Sequence, residues 1–128
     1  MDTKYKNSVR YLESLIPKKH APKDTYKLDR IRRLLELIGN PENSFKSIHI
    51  GGTSGKGSTA YITAAILKEA GHKVGLHLSP HLEKINERMQ ILDPDTRGIN
   101  SKPTSDKELV HLVNWAKPRV EKVKKEGL

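Results

Sequence analysis

Nine residues constrain this chain more than any others: Gly51-Gly52-Thr53-Ser54-Gly55-Lys56-Gly57-Ser58-Thr59. They follow a short apolar segment, Lys46-Ser-Ile-His-Ile50, that reads as a strand. They precede a helical pattern from Ala60 to Ala70, with Ile62, Ala65, Ile66 and Leu67 apolar. A loop between a strand and a helix N-terminus is an anion site by geometry. The first helical N–H groups lack intrahelical acceptors, and the helix dipole favours negative charge there. Glycines allow a close backbone approach to a phosphate, and Lys56 can reach its oxygens as a point charge. Ser58 and Thr59 add hydroxyls that can meet a phosphate or a phosphate-bound Mg²⁺. The spacing departs from G-x-x-x-x-G-K-[ST]: position 50 is Ile, and Gly57 rather than a hydroxyl residue follows Lys56. The plainer alternative is a tight structural turn carrying an incidental lysine.

The pattern around this loop points to an α/β class. Gly71 closes the helix, and Lys73 to Leu78 follows as a strand with Val74, Leu76 and Leu78 on one face and Gly75 and His77 on the other. A strand–loop–helix–strand unit of this length predicts two parallel strands with a right-handed crossover. Upstream, residues 3–15 and 27–38 read as helices whose apolar stripes (Val9, Leu12, Leu15, Ile16; Leu28, Ile31, Leu34, Leu35, Ile38) are expected to pack on a sheet. Gly39-Asn40-Pro41 reads as a helix stop. Downstream, Met89–Leu92 reads as a third strand and residues 93–104 as exposed turns. Ser105 and Glu108 have capping-box spacing before a helix over 106–125, which Pro118 is expected to kink or break. The expected organisation is a helical lead over 1–45, a core over 46–92, and a loop and C-terminal helix over 93–128.

Composition narrows the function. The chain has 128 residues, which favours one domain. There is no cysteine, so disulfides and thiolate metal sites are excluded. No apolar run approaches the ~18–20 residues of a membrane span. The N-terminus lacks the apolar run of a signal peptide, which makes the cytoplasm the default compartment. The net charge of +9 is spread along the chain and attracts anions at long range. Six aromatics, without basic clusters interleaved, argue against a base-stacking surface for nucleic acid.

Four blocks in order carry a family resemblance. They are LDRIRRLLELIGNPE, HIGGTSGKGST, the Lys73-Val-Gly strand, and SPHL followed by Glu87-Arg88. Together, over roughly residues 5–95, they resemble the N-terminal ATPase region of folylpolyglutamate synthase and dihydrofolate synthase, in the Mur ligase superfamily. The resemblance implies a P-loop-type parallel sheet with flanking helices, an incomplete Mur-ligase-like central ATPase domain. It implies ATP contacts at Gly52, Thr53, Ser54, Gly55, Lys56, Gly57 and Ser58, with Lys56 also catalytic; Ser54 stands where the family has Asn. Ser79 is, from the residues alone, a strand-end hydroxyl before Pro80; the resemblance implies a Mg²⁺ ligand on an Ω-loop. Asp24, Thr25 and Tyr26 fall where the family lines its pterin-substrate site. His81, Glu87 and Arg88 match without an assignable role.

The implied reaction is ATP-dependent addition of L-glutamate to a folate or pteroate carboxylate through an acyl phosphate. The family's further metal ligands, its carbamylated lysine and its glutamate-binding domain match nothing in these residues. The chain alone is therefore expected to bind Mg·ATP weakly, to ligate little, and to need a C-terminal region or second chain. The alternatives are a Mur-type amide ligase for another carboxylate, and a non-enzymatic nucleotide- or nucleic-acid-binding module.

Overall fold

The computed structural model describes residues 2–16, 28–96 and 101–127. They divide into two compact units: Met1–Ser47 with Leu109–Leu128, and Ile48–Glu108.

The second unit is built on helix α3 (Lys56–Glu69) and a three-stranded sheet of β1 (Val74–His77), β2 (Met89–Leu92) and β3 (Lys102–Pro103). The helix begins at Lys56, a turn earlier than its apolar pattern suggests, because the Gly55 carbonyl already accepts the Thr59 N–H at 3.0 Å. It ends in a Schellman turn: His72 N–H bonds Leu67 O at 3.0 Å and Gly71 N–H bonds Lys68 O at 2.9 Å, with Gly71 at φ +89°. That turn sends the chain back along the helix as β1. The β1 alternation is as expected: Leu76 is buried, Gly75 and His77 exposed, Val74 and Leu78 partly covered. Leu76, Leu92 and Ala64 form the core, flanked by Ala60, Tyr61, Val74 and Leu78.

Two expectations about the sheet are corrected. Residues 46–50 form no strand, and Ile48 stands 65% exposed. A strand exists through its ladder, and this segment pairs with no neighbour among the described residues. The sheet is therefore antiparallel rather than parallel. In the first pair Val74 faces Leu92 and His77 faces Met89; in the second, Gln90 faces Pro103. β3 lies within the stretch read as turns; its two residues are too few to show a period of two.

The buried side chain of Lys68 shows how a cation is accommodated here. It is 2% exposed, and its ammonium donates to the Thr96 carbonyl at 2.6 Å. Its aliphatic stem lies on the buried face of α3 with Ala64, four residues earlier.

The first unit contains helices α1 (Thr3–Ser14) and α2 (Asp29–Leu37), and most of α4 (Asp106–Lys125). Asp2 caps α1 by accepting the Lys4 N–H at 3.0 Å. Its buried face starts at Tyr5 and Ser8, which the apolar stripe misses, and Ile16 is exposed. Ser8 buries without penalty because its hydroxyl donates to Lys4 O at 3.1 Å. The partner within this unit is a helix, not a sheet. Tyr11 donates to Glu121 Oε1 at 2.9 Å, and the ammonium groups of Lys117 and Lys124 lie 4.8 and 5.7 Å from its ring centroid. Arg33 on α2 grips Glu126 with two bonds, Nε at 2.8 Å and Nη2 at 3.1 Å.

Helix α4 opens with the expected capping box. Ser105 N–H and Oγ bond Glu108 Oε2 at 2.8 and 2.6 Å, and Glu108 N–H returns to Ser105 Oγ at 3.2 Å. Pro118 does not break the helix, which continues to Lys125. Pro118 removes one rung, and beside the gap the Arg119 guanidinium donates to the Trp115 carbonyl while stacking over its ring. No helix among the described residues is long and apolar enough to cross a membrane.

Leu92 has no exposed surface, so Leu92→Ala leaves a cavity in a small core. The expected cost is ~2–5 kcal/mol in urea unfolding; a loss below about 1 kcal/mol would contradict this core. Burial, and then the bond to Glu121, raise the Tyr11 phenol from 10.0 to about 12. The unfolded phenol ionises first, so the stability this contact adds is complete below about pH 10 and is lost as pH rises towards 12. Ultraviolet titration of wild type against Glu121→Gln should show one tyrosine moving down; superimposable curves would contradict the contact.

Candidate functional site

The glycine-rich loop ends where α3 begins, and its last residue decides what that end offers. Gly55 is the N-cap and takes the left-handed conformation at φ +72°, ψ +1°. A side chain there would be strained. Gly55 provides no side chain to cap the helix, and the first turn of α3 contains no acidic residue. The free N–H groups and the positive dipole end therefore face outward uncompensated. Every residue from Gly51 to Thr59 is exposed.

The predicted loop residues are thus brought together at one helix end, with one amendment. Lys56 bends back over the loop, its ammonium 3.5 Å from the Thr53 carbonyl. Gly52, at φ +149°, sits beside it: a Cβ there would meet Lys56 Cγ at 3.8 Å. Thr59, expected beside Ser58 as a hydroxyl for the ligand, instead donates to the Gly55 carbonyl at 2.9 Å. Among the hydroxyls at the helix start, Ser58 is left to face a ligand.

Ser79 belongs to the connection from β1 to β2. α3 turns tightly into β1, so the start of the helix and the far end of the strand lie at the same end of the unit. The helix is about 21 Å long, and β1 with its flanking residues spans most of that length. Ser79 is exposed at that end, ahead of Pro80.

The far side of this connection is ordered by Glu87 and Arg88. Glu87 Oε2 accepts the Leu82 N–H at 2.8 Å; Oε1 accepts those of Glu83 and Lys84 at 3.0 and 2.8 Å. These bonds, Leu82's foremost, hold the carboxyl below its usual range. Arg88 Nε donates to His81 Nδ1 at 2.8 Å. The sequence left both residues without a role. The available signal was the three-residue spacing from Lys84 to Glu87, a capping-box interval that lacks the usual hydroxyl at its start.

Asp24, Thr25 and Tyr26 lie outside the described residues. Among the described residues, no group of three His, Asp or Glu side chains is placed to hold a metal. A cavity of about 340 Å³ lies in the first unit, lined by residues of α1 and α4 including Lys4, Asn7, Tyr11 and Asn114. It contains none of the loop residues.

No family model matches the chain. A dihydrofolate synthase/folylpolyglutamate synthase of Bacillus subtilis is 39% identical over 94 residues, covering 73% of this chain and 20% of its own length. The folylpolyglutamate synthetase of Lactobacillus casei matches the structure with a TM-score of 0.77 at 32% identity, over 96% of this chain and 28% of the other. A folylpolyglutamate synthase complex with AMPPCP and folate gives 0.79 at 33% identity, over 96% and 27%. The chain spans about a fifth of the length of the curated relatives it matches. By sequence and by fold, the chain belongs to the folylpolyglutamate synthase/dihydrofolate synthase family, matching the N-terminal portion of its Mur-ligase-like fold.

Proposed function

We propose that this chain is the nucleotide-binding portion of an ATP-dependent amide ligase that adds L-glutamate to a folate or pteroate carboxylate. The observation that carries the reading is the start of α3: an uncapped, acid-free helix end, opened by a left-handed glycine and flanked by Lys56. A phosphate chain supplies the acceptors those N–H groups lack. The ammonium of Lys56, resting on a backbone carbonyl at 3.5 Å, exchanges a weak partner for a charged one. The relative solved with AMPPCP and folate supports the same reading.

The donor set also fits magnesium. Mg²⁺ takes few protein ligands and completes its shell with phosphate and water. One exposed hydroxyl, Ser79, at the nucleotide end of the unit suffices on the protein side. When bound, the ion neutralises charge on the phosphate oxygens. Gly52, Thr53, Ser54, Gly55, Gly57 and Ser58 then shape and line the phosphate seat.

In the proposed reaction a substrate carboxylate oxygen attacks the γ-phosphorus, and the bond to the β-phosphate oxygen breaks to release ADP. The resulting acyl phosphate is attacked by the amine of glutamate. The tetrahedral adduct collapses, phosphate leaves with the bonding electrons, and the amine gives up its proton. The chain's own share is placement of the nucleotide and stabilisation of charge on the moving phosphoryl group by Lys56 and the loop N–H groups. Asp24, Thr25 and Tyr26 are the proposed contacts for the pterin-bearing substrate. The cytoplasm is the proposed compartment, and the rest of the ligase machinery is supplied by further chain or a second one.

Isothermal titration with Mg·ATP tests the reading. The isolated chain is expected to bind weakly, and Lys56→Ala to weaken binding about tenfold or more, the worth of one charge-assisted bond. Equal binding by both proteins would remove Lys56 from the site.

A further inference from the structure

The Ser79–Glu87 connection is shaped by its own far end. Leu78 N–H donates to Arg88 O at 3.2 Å and closes the base. Arg88 then fixes His81. Its Nε–H donates to His81 Nδ1 at 2.8 Å. Three consecutive N–H groups, those of Leu82, Glu83 and Lys84, converge on the Glu87 carboxylate. Successive N–H groups turned to one side form an anion-binding hollow; here the anion is the chain's own. Asn86, 4% exposed, anchors the assembly by donating to Thr104 O at 2.7 Å and Asp106 Oδ1 at 3.1 Å. Ser79 and Pro80 are therefore bracketed between two fixed points, Leu78 and His81.

We propose that Glu87 is a positioning residue: by gathering the N–H groups of residues 82–84 it sets the backbone path that presents Ser79 to magnesium-bound nucleotide. The proposal rests on the Ser79 assignment made above. Glu87 itself touches no ligand. Its two oxygens divide the work, Oε2 holding Leu82 and Oε1 holding Glu83 and Lys84. Removing the side chain frees all three amides. Replacing it with glutamine leaves one accepting oxygen and sets an NH₂ group against a third N–H.

Amide hydrogen exchange and ATP titration on the 128-residue chain test this together, each titration run with Mg²⁺ and with EDTA. In Glu87→Ala the amides of residues 82–84 should lose protection. Mg·ATP affinity should fall about tenfold, as when support for a metal ligand is removed, while metal-free ATP affinity stays within about twofold. Glu87→Gln should expose the Leu82 amide and retain protection at Glu83 and Lys84. It should lose part of the magnesium-dependent affinity; if Glu87→Ala fails to fold by circular dichroism, this variant decides. Unprotected amides with unchanged Mg·ATP affinity would overturn the positioning role, and so would protection that survives Glu87→Ala. Ser79→Ala separates the two claims. If it leaves the magnesium-dependent affinity intact, the Ser79 assignment fails and the positioning role falls with it, whatever the Glu87 variants show.

Discussion

The candidate site depends on one backbone conformation. At Gly55 the chain takes a left-handed turn and enters α3 without a capping side chain. An ordinary helix start would place Ser, Thr, Asp or Asn there and satisfy its own N–H groups. This one leaves them unsatisfied beside a lysine, in a loop exposed throughout. The helix start gives up the local stability a capping side chain would add. The two hydroxyls that follow divide: Thr59 bonds the helix backbone, and Ser58 remains available.

Support for that turn comes from a small core and a long hairpin connection. Ala64, Leu76 and Leu92 join α3 to β1 and β2. The Schellman turn at Gly71 reverses the chain, so that the start of the helix and the far end of the strand lie at one end of the unit. Between β1 and β2 polar bonds hold the connection, most of them to backbone, and Leu82 is 93% exposed. A segment held this way keeps its shape through hydrogen bonds that water can compete for, and it can present groups outward without needing a covering layer.

Much of this was legible in the residues. The alternation of Val74, Leu76 and Leu78 named the buried face of β1 because period two needs only local sequence. Ser105 and Glu108 announced their capping box by spacing alone. The glycines and Lys56 located the loop. The strand expected at 46–50 is absent because pairing is decided by a neighbour, which an apolar run cannot specify. The antiparallel register followed from where β2 returns, not from the crossover helix. The role of Glu87 was hidden for another reason: its partners are backbone N–H groups, identical in every residue type but proline. Ser8 escaped the α1 stripe because a hydroxyl that bonds its own helix buries like an apolar group.

The central claim is that the turn around Lys56 seats a phosphate chain at the start of α3. Titrating the ¹⁵N-labelled chain with Mg·AMPPCP and following its backbone amides tests this most directly. The account predicts that the amides of Gly52 to Ser58 shift furthest, with Ser79 following only when magnesium is present. Shifts confined to other parts of the chain, with the Gly52–Ser58 amides unmoved at saturation, would contradict it.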